Sequence, residues 1–518
     1  MTSERQDLSA HQNIPAKSAK DFPTWTITPD IGCEKVYTCD EAIDLTGGKG
    51  WYVYTLAIVL AFAIMGMTLD MIGLSVVVTS ACDLELTQAQ QSIVMSMPFL
   101  GSVISAYPWG YIADTQGRLK ALKIALWTSF ILATLSAFSP NWIVFAILRL
   151  GSSSFSSGIH SLSLTLLGES CPSRLKGPAL IAVLSLMFYT FGVYNASGYF
   201  ILGLDFVYDL GFIVFSPWRL IALVLSIPLG VSTIFIMFYY ESPKFLLNAG
   251  DEINAIKILR KISKRNGLKE NEYPVQRVVF NEMTQLRKDV PLLQSLKEQF
   301  VPLFKPPYLY RSLQLFFITA VLYSNNNGYF AWMPFVTDKL SSLEANDTSS
   351  NFCEMITSYQ ERNTTSICIT SVSEFTVQIS FIQSTACILL SLVAMWLSSW
   401  KKEVHLAVLL TSVVCGVCLP FTKGWLLTVV LFYGFLINCV SMPITFSYYV
   451  DVFPTSYRGM ATCLGVMVAR ISALIGTNIV GAYLVSHCTG SLYSWSAFIM
   501  CGLLASVFLP ANKPKKLC

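Results

Sequence analysis

Long apolar runs alternate with short polar segments along almost the whole chain, each run close to the ~20 residues a helix needs to cross a bilayer. Charged and turn-forming residues place a first set of spans at 51–78, 91–113, 121–138, 142–167, 178–202 and 218–239. A second set follows at 313–336, 375–397, 404–419, 425–448, 460–485 and 493–509. The pattern predicts an all-α membrane protein of about twelve transmembrane helices. It falls into six-helix halves at 51–239 and 313–510, a polar leader over 1–50, a basic loop with a helix over 240–312, and a tail over 511–518.

The joints between runs carry the charge. Gly110-Tyr-Ile-Ala-Asp114-Thr-Gln-Gly117-Arg118-Leu-Lys120 is a tight turn between the second and third spans. Gly110 and Gly117 permit close backbone approach and positive φ, while Asp114, Arg118 and Lys120 set charge where lipid meets water. Lys and Arg are absent from 80–90, 139–141, 203–217 and 486–492. They crowd the alternate joints, at Arg118 and Lys120, Arg174 and Lys176, the stretch 244–311, Lys401 and Lys402, and Arg458. By the positive-inside rule both termini are expected in the cytosol, in agreement with Lys513, Lys515 and Lys516 in the tail.

Composition excludes the soluble alternatives. The 518 residues are 53% hydrophobic and only 13% charged, with a mean hydropathy of +0.55, whereas soluble domains carry about 25% charged residues. A net charge of +4 is too small to suggest nucleic-acid binding. The 14 cysteines lie mostly in apolar runs, and the C-x-x-C at Cys415 and Cys418 has no second C-x-x-C to pair with, so neither a metal nor a cofactor is expected. No nucleophile–base constellation or phosphate loop points to an enzyme. The first fifty residues contain no cleavable signal, so the first span is expected to direct insertion.

An internal repeat relates the halves. Glu169-x-x-Pro172-x-x-x-Lys176-Gly177 closes the fourth span, and Asp451-x-x-Pro454-x-x-x-Arg458-Gly459 closes the tenth with the same spacing. Parallel repeats about an axis along the membrane normal account for this. The stretch 36–44 is expected to be the ordered part of the leader. After the sixth span, Glu241-Ser242-Pro243 reads as a helix start, and 251–267 reads as an amphipathic helix bracing the bundle or lying on the membrane. The longest outer loop, 337–374, holds sequons at Asn346 and Asn363, and Cys353 and Cys368 as a candidate disulfide in an oxidising compartment.

The Gly110–Lys120 spacing resembles the loop between the second and third helices of the major facilitator superfamily. The approach at 36–44, Glu241-Ser-Pro-Lys-Phe-Leu-Leu247, Arg470-Ile-Ser-Ala-Leu-Ile475 and the glycosylated loop after the seventh span narrow the likeness to the synaptic vesicle glycoprotein 2 family and its relatives. The second half lacks the Gly-Arg-basic turn that a sugar porter would repeat, carrying Trp396-Leu-Ser-Ser-Trp-Lys-Lys402 instead. The resemblance implies a major facilitator fold of two pseudo-symmetric halves and transport by alternating access. It also implies a cytosolic gate of Gly110, Asp114, Gly117, Arg118, Glu169, Asp451 and Arg458.

Ionisable groups at membrane depth cost about 2.5–3.5 kcal/mol each on insertion scales, which singles out Asp70, Arg149, His160 and Arg470. At ~1.5 Å per residue, Asp70 and Arg149 lie at similar depth. In this superfamily the first and fourth helices face the central cavity, so the resemblance places such a pair in or beside the substrate path. A permanent structural salt bridge is the alternative. His160 is a candidate for a proton route and Arg470 for an anion site or a brace. Asn325, Asn326 and the Gly328 break suggest an unwound binding segment, with Tyr329, Trp332 and Tyr448, together with Tyr323, as candidate pocket walls.

The expected protein is therefore a monomeric carrier of a small organic solute, an organic ion among the candidates, with a proton as candidate coupling ion. It is a multi-pass protein of the plasma membrane or a vesicle membrane. The rival reading is a non-transporting vesicle or cell-surface glycoprotein that serves as a binding or trafficking partner.

Overall fold

The computed structural model describes residues 36–47, 50–204, 206–211, 213–269, 273–279, 301–337, 340, 351–362, 371–397, 400–453 and 455–510. Among these, nine helices are long and apolar enough to cross a membrane. They are the first (Trp51–Thr79), third (Arg118–Ser136), fourth (Trp142–Ser170), sixth (Pro217–Phe238), eighth (Glu374–Ala394), ninth (Lys401–Phe421), tenth (Trp425–Tyr449), eleventh (Met460–Tyr483) and twelfth (Cys488–Val507) spans.

Three more helical runs complete the predicted order, and each falls short for a visible reason. The second span, Gln88–Gln116, opens on Gln88, Gln90, Gln91 and Ser92 and is capped by Thr87. The fifth is divided into Ser173–Leu186 and Thr190–Leu202 by the 3-10 turn Met187–Tyr189. The seventh, Leu309–Ala331, carries Ser324-Asn325-Asn326-Asn327 in its interior. These polar residues lower hydropathy where helices face one another rather than lipid.

The second span packs against the third, fourth and eleventh, the seventh against the eleventh and twelfth, and the eighth against the fifth. Small residues permit the closest crossings. A Cβ on Gly476 would stand 2.1 Å from the Ser324 carbonyl oxygen, and one on Gly328 would stand 3.1 Å from the Gly476 carbonyl oxygen. The helix runs unbroken through Gly328, so this glycine serves the crossing and not the expected unwinding. One hydrophobic core lies largely inside the first half; a second joins the far ends of the first, fifth and sixth spans to the second half.

Leader and basic loop are not separate regions. Val36–Thr38 (β1) pairs in parallel with Arg277–Val279 (β2). The helix Cys39–Asp44, with a Thr38–Glu41 capping box, and the amphipathic helix Glu252–Arg265 complete a small cap. Cys39, Ala42, Ile43, Leu259, Tyr273, Val275 and Val278 form its core; burial pushes the Cys39 thiol up to about 12, so it stays protonated and inert. The Asn266 amide donates to the Thr46 carbonyl at 2.9 Å and accepts from the Tyr52 N–H at 3.1 Å, fixing cap to first span. The Arg265 guanidinium adds a bond to the Phe238 carbonyl at 2.9 Å, so the amphipathic helix packs against the end of the sixth span.

The expected Cys353–Cys368 bridge is replaced. Cys353, on the short helix Phe352–Arg362, is bonded to Cys488 at the start of the twelfth span, with Cα atoms 5.5 Å apart. Cys353 thus meets a cysteine 135 residues away, a proximity that spacing within the loop does not reveal. Cys82 is disulfide-bonded as well. Cys368, Asn346 and Asn363 lie outside the described residues.

Candidate functional site

Asp70 and Arg149 do meet. The guanidinium donates from Nη1 to Asp70 Oδ1 at 2.7 Å, and Ser152 Oγ donates to Oδ2 at 2.8 Å. Both residues are 3% exposed. Ser152 also donates to the Ser129 carbonyl on the third span at 3.2 Å, and Arg149 lies 5.3 Å from the centre of the Phe145 ring. The pair is thus enclosed by the first, third and fourth spans of one half. It does not line an open path.

Arg470 occupies different ground. It lies near the middle of the helix Thr455–Tyr483, about 20 Å from either end at 1.5 Å per residue. Its Nη1 stands 3.8 Å from Met71 Sδ on the first span, and it interacts electrostatically with His160 on the fourth and Tyr323 on the seventh. All three of Arg470, His160 and Tyr323 are half-buried. Beside Met71 a small cavity opens between the halves, lined by Ile72, Ser75, Met95, Phe99, Asn327, Phe330 and Ala331.

Several expected pocket residues lie elsewhere. Asn326 donates to the Asn438 side-chain oxygen on the tenth span, and Asn438 donates to Ser412 Oγ on the ninth at 3.2 Å. Asn325 is fully buried as well. Tyr329 packs edge-on against Phe435 at 5.1 Å, and Trp332 donates to the Thr477 carbonyl at 3.4 Å. These are contacts of the second-half core. Tyr448 sits at the end of the tenth span under Lys401, whose Nζ is 4.3 Å from its ring centre. Of the asparagine run, Asn327 reaches the cavity, since each step along a helix turns by about 100°.

The Arg118 turn is built as a latch within the first half. Gly117 has φ +105° and closes against Glu241, where a Cβ would stand 2.6 Å from Oε2. Glu241 accepts from the Leu119 and Lys120 N–H groups at 2.9 and 3.3 Å, capping the third span with charge opposite its dipole. Arg118 pairs with Glu169 at 3.3 Å and lies 4.9 Å from the Phe245 ring centre. Ser242 donates to Glu169 as well. In the second half Lys401 pairs with Asp451. Gly110 has open space beside it. Asp114 and Arg458 fall on helices, but their side chains lie outside the described residues.

Contacts between halves gather toward the opposite face. Gln88 donates to the Gly481 carbonyl, Asn195 donates to Ser380 Oγ at 2.8 Å, and the Phe191 and Phe330 rings are 4.5 Å apart. On that face Arg219, 2% exposed, donates to the Ala137 and Ser139 carbonyls at 2.9 and 2.8 Å and pairs with Asp83 at 3.5 Å. Sequence reasoning missed Arg219, although an arginine just inside the sixth span was visible.

This arrangement has known counterparts. The chain is 26% identical over 493 residues to the synaptic vesicle 2-related protein of Bos taurus, covering 92% of this chain and 81% of that one. It is 24% identical over 517 residues to the putative transporter svop-1 of Caenorhabditis elegans, covering 96% and 90%. With organic cation/carnitine transporter 7 of Arabidopsis thaliana it shares 26% over 475 residues, covering 85% and 87%. The inward-open xylose transporter XylE from E. coli superposes with a TM-score of 0.62 at 15% identity, covering 90% of this chain and 98% of that one, a likeness of fold. A family model described as Major Facilitator Superfamily matches residues 57–477, and with two helical halves meeting around a central cavity, the chain belongs to the Major Facilitator Superfamily.

Proposed function

We propose that the chain carries a small organic solute by alternating access, with a proton taken up at Asp70 as the coupling ion. The ion pair between the first and fourth spans carries this reading: Asp70 has one arginine and one serine as partners, in an enclosed site. Protonating Asp70 leaves the Arg149 charge buried without its counter-ion, at a cost of several kcal/mol, so proton uptake favours rearrangement of these two helices. A relative of the same fold is titled a D-xylose-proton symporter, which supports proton coupling here.

The Lys and Arg distribution supports a cytosolic Arg118 face. The seal formed by Gln88–Gly481 and Asn195–Ser380 then lies outside. The Arg118–Glu169 and Lys401–Asp451 pairs act on this reading as braces that keep each half rigid while the halves rock.

The test uses the full-length protein in liposomes with benzoate, tetraethylammonium and glucose as anionic, cationic and neutral probes. Wild type accumulates a probe against its gradient when a pH gradient is imposed. Asp70→Asn is expected to keep exchange and lose accumulation. Undiminished accumulation by Asp70→Asn overturns the coupling role.

A further inference from the structure

The amphipathic helix Glu252–Arg265 has a second face that the cap does not use. Ala255, Leu259 and Ile262 are buried in the cap. At about 100° per residue, Lys257, Arg260, Lys261, Lys264 and Arg265 fall with Ile253 and Asn254 in an arc of about 140° on the opposite side. All of these are exposed. No acid interrupts the arc, because the two at the helix start are occupied elsewhere: Asp251 caps the helix by accepting from the Asn254 N–H at 3.1 Å, and Glu252 accepts from the Val278 N–H at 3.0 Å. The helix dipole accounts for Lys264 and Arg265 in the last turn, but Lys257, Arg260 and Lys261 lie further back.

One end of this face is fixed at the membrane boundary. Arg265 donates to the carbonyl of Phe238, the last residue of the sixth span, at 2.9 Å, and lies 5.5 and 4.9 Å from the ring centres of Tyr52 and Tyr239. One turn earlier, Lys261 Nζ is 5.5 Å from the Tyr240 ring centre. Trp51 and Phe238, which end the first and sixth spans on this side, are exposed large apolar side chains, as residues facing lipid are. Lys and Arg lay their stems along such surface while their charged heads reach outward. Ile253, 82% exposed, stands on the i, i+4 line of Lys257, Lys261 and Arg265. An apolar side chain within a basic arc suits the depth at which headgroups give way to acyl chains, and gains nothing from bulk water.

We propose that this helix docks on anionic phospholipid headgroups of the bilayer that holds the protein, through Lys257, Arg260, Lys261, Lys264 and Arg265, with Ile253 entering the apolar boundary. The charges are complementary, and headgroup phosphates lie at the level where Arg265 is held. A soluble polyanion would reach the arc from the water side and leave Ile253 exposed. From the transport reading the proposal takes one element, the cytosolic placement of the Arg118 face, where the leaflet is anionic. Docking bears on the bundle directly, because the cap grips the first half. Asp40 pairs with Lys244 at 2.6 Å, Asp44 accepts from the Ser173 N–H at 2.7 Å, and Asn266 holds the first span through the Tyr52 N–H.

The experiment places the full-length protein in nanodiscs of phosphatidylcholine, alone or with phosphatidylserine, and follows amide hydrogen exchange over 252–265 by mass spectrometry. Phosphatidylserine is expected to slow exchange in this helix, and added salt to remove the slowing. Lys257→Gln, Lys261→Gln and Lys264→Gln leave Arg265 and its bond to the sixth span in place. Each is expected to raise the phosphatidylserine content needed for half-maximal slowing by about fivefold. In wild type, equal exchange in the two lipids, or slowing that high salt leaves intact, overturns the proposal without recourse to any variant. So does slowing that survives the three substitutions together, in protein whose exchange elsewhere is unchanged. Free phosphoserine added to phosphatidylcholine discs is expected to do nothing; slowing equal to that by the lipid would overturn docking in favour of a site for soluble anions. The discs carry no gradient and the same lipids in both leaflets, so these outcomes leave the transport reading to its own test.

Discussion

Corresponding helices in the two halves are joined by different chemistry. In the first half the first and fourth spans are tied by Asp70 and Arg149, a charged pair. In the second half their counterparts, the seventh and tenth spans, are tied by Asn326 and Asn438, a neutral amide pair. A carboxylate can gain a proton and an amide cannot. The repeat thus keeps a polar tie in both halves while confining the titratable one to the first. The membrane-face turns differ in the same spirit: the acid closing the fourth or tenth span keeps a basic partner, but that partner is Arg118 on a glycine turn in one half and Lys401 on a plain helix start in the other.

The sharpest way to break this comparison is to remove one member of each pair. Arg149→Ala leaves Asp70 buried without its partner and should cost about 3–5 kcal/mol, read as a large drop in the melting temperature of the purified protein. Adding Asp70→Asn to that variant should recover part of the loss, because an amide replaces the stranded charge. Asn326→Ala should cost less, about 1–3 kcal/mol, since Asn438 keeps its bond to Ser412. If Asn326→Ala proves as damaging as Arg149→Ala in the same melting assay, the two ties are equivalent and the distinction fails.

The turns provide smaller effects. Glu241→Ala strips two N–H groups at the start of the third span and should cost about 1 kcal/mol by thermal unfolding. Lys401→Ala should cost less than about 1 kcal/mol, because Asp451 is half in solvent. Equal losses would mean that the second-half turn is held as firmly as the first.

Much of this architecture was legible in the residues. Run lengths gave the order of the spans, because a bilayer leaves each helix little choice of length. Equal depth together with the family resemblance brought Asp70 and Arg149 together, since two buried opposite charges seek each other. The asparagine run was harder: hydropathy does not say which of Asn325, Asn326 and Asn327 faces the cavity, as neighbours on a helix point about 100° apart. The bond from Cys353 to Cys488 and the pairing of 36–38 with 277–279 join segments far apart in sequence, and neither carries a local signal. Tyr448 was misplaced for a related reason, because its partner Lys401 lies on another helix.

On this reading the first half alone handles the proton. The most direct measurement is proton uptake accompanying entry of the transported probe into liposomes that contain the full-length protein, comparing wild type, Asp70→Asn and Asn326→Asp. Proton uptake is predicted in wild type, absent from Asp70→Asn, and not replaced when Asn326→Asp is combined with Asp70→Asn. Proton uptake that persists in Asp70→Asn would contradict the account.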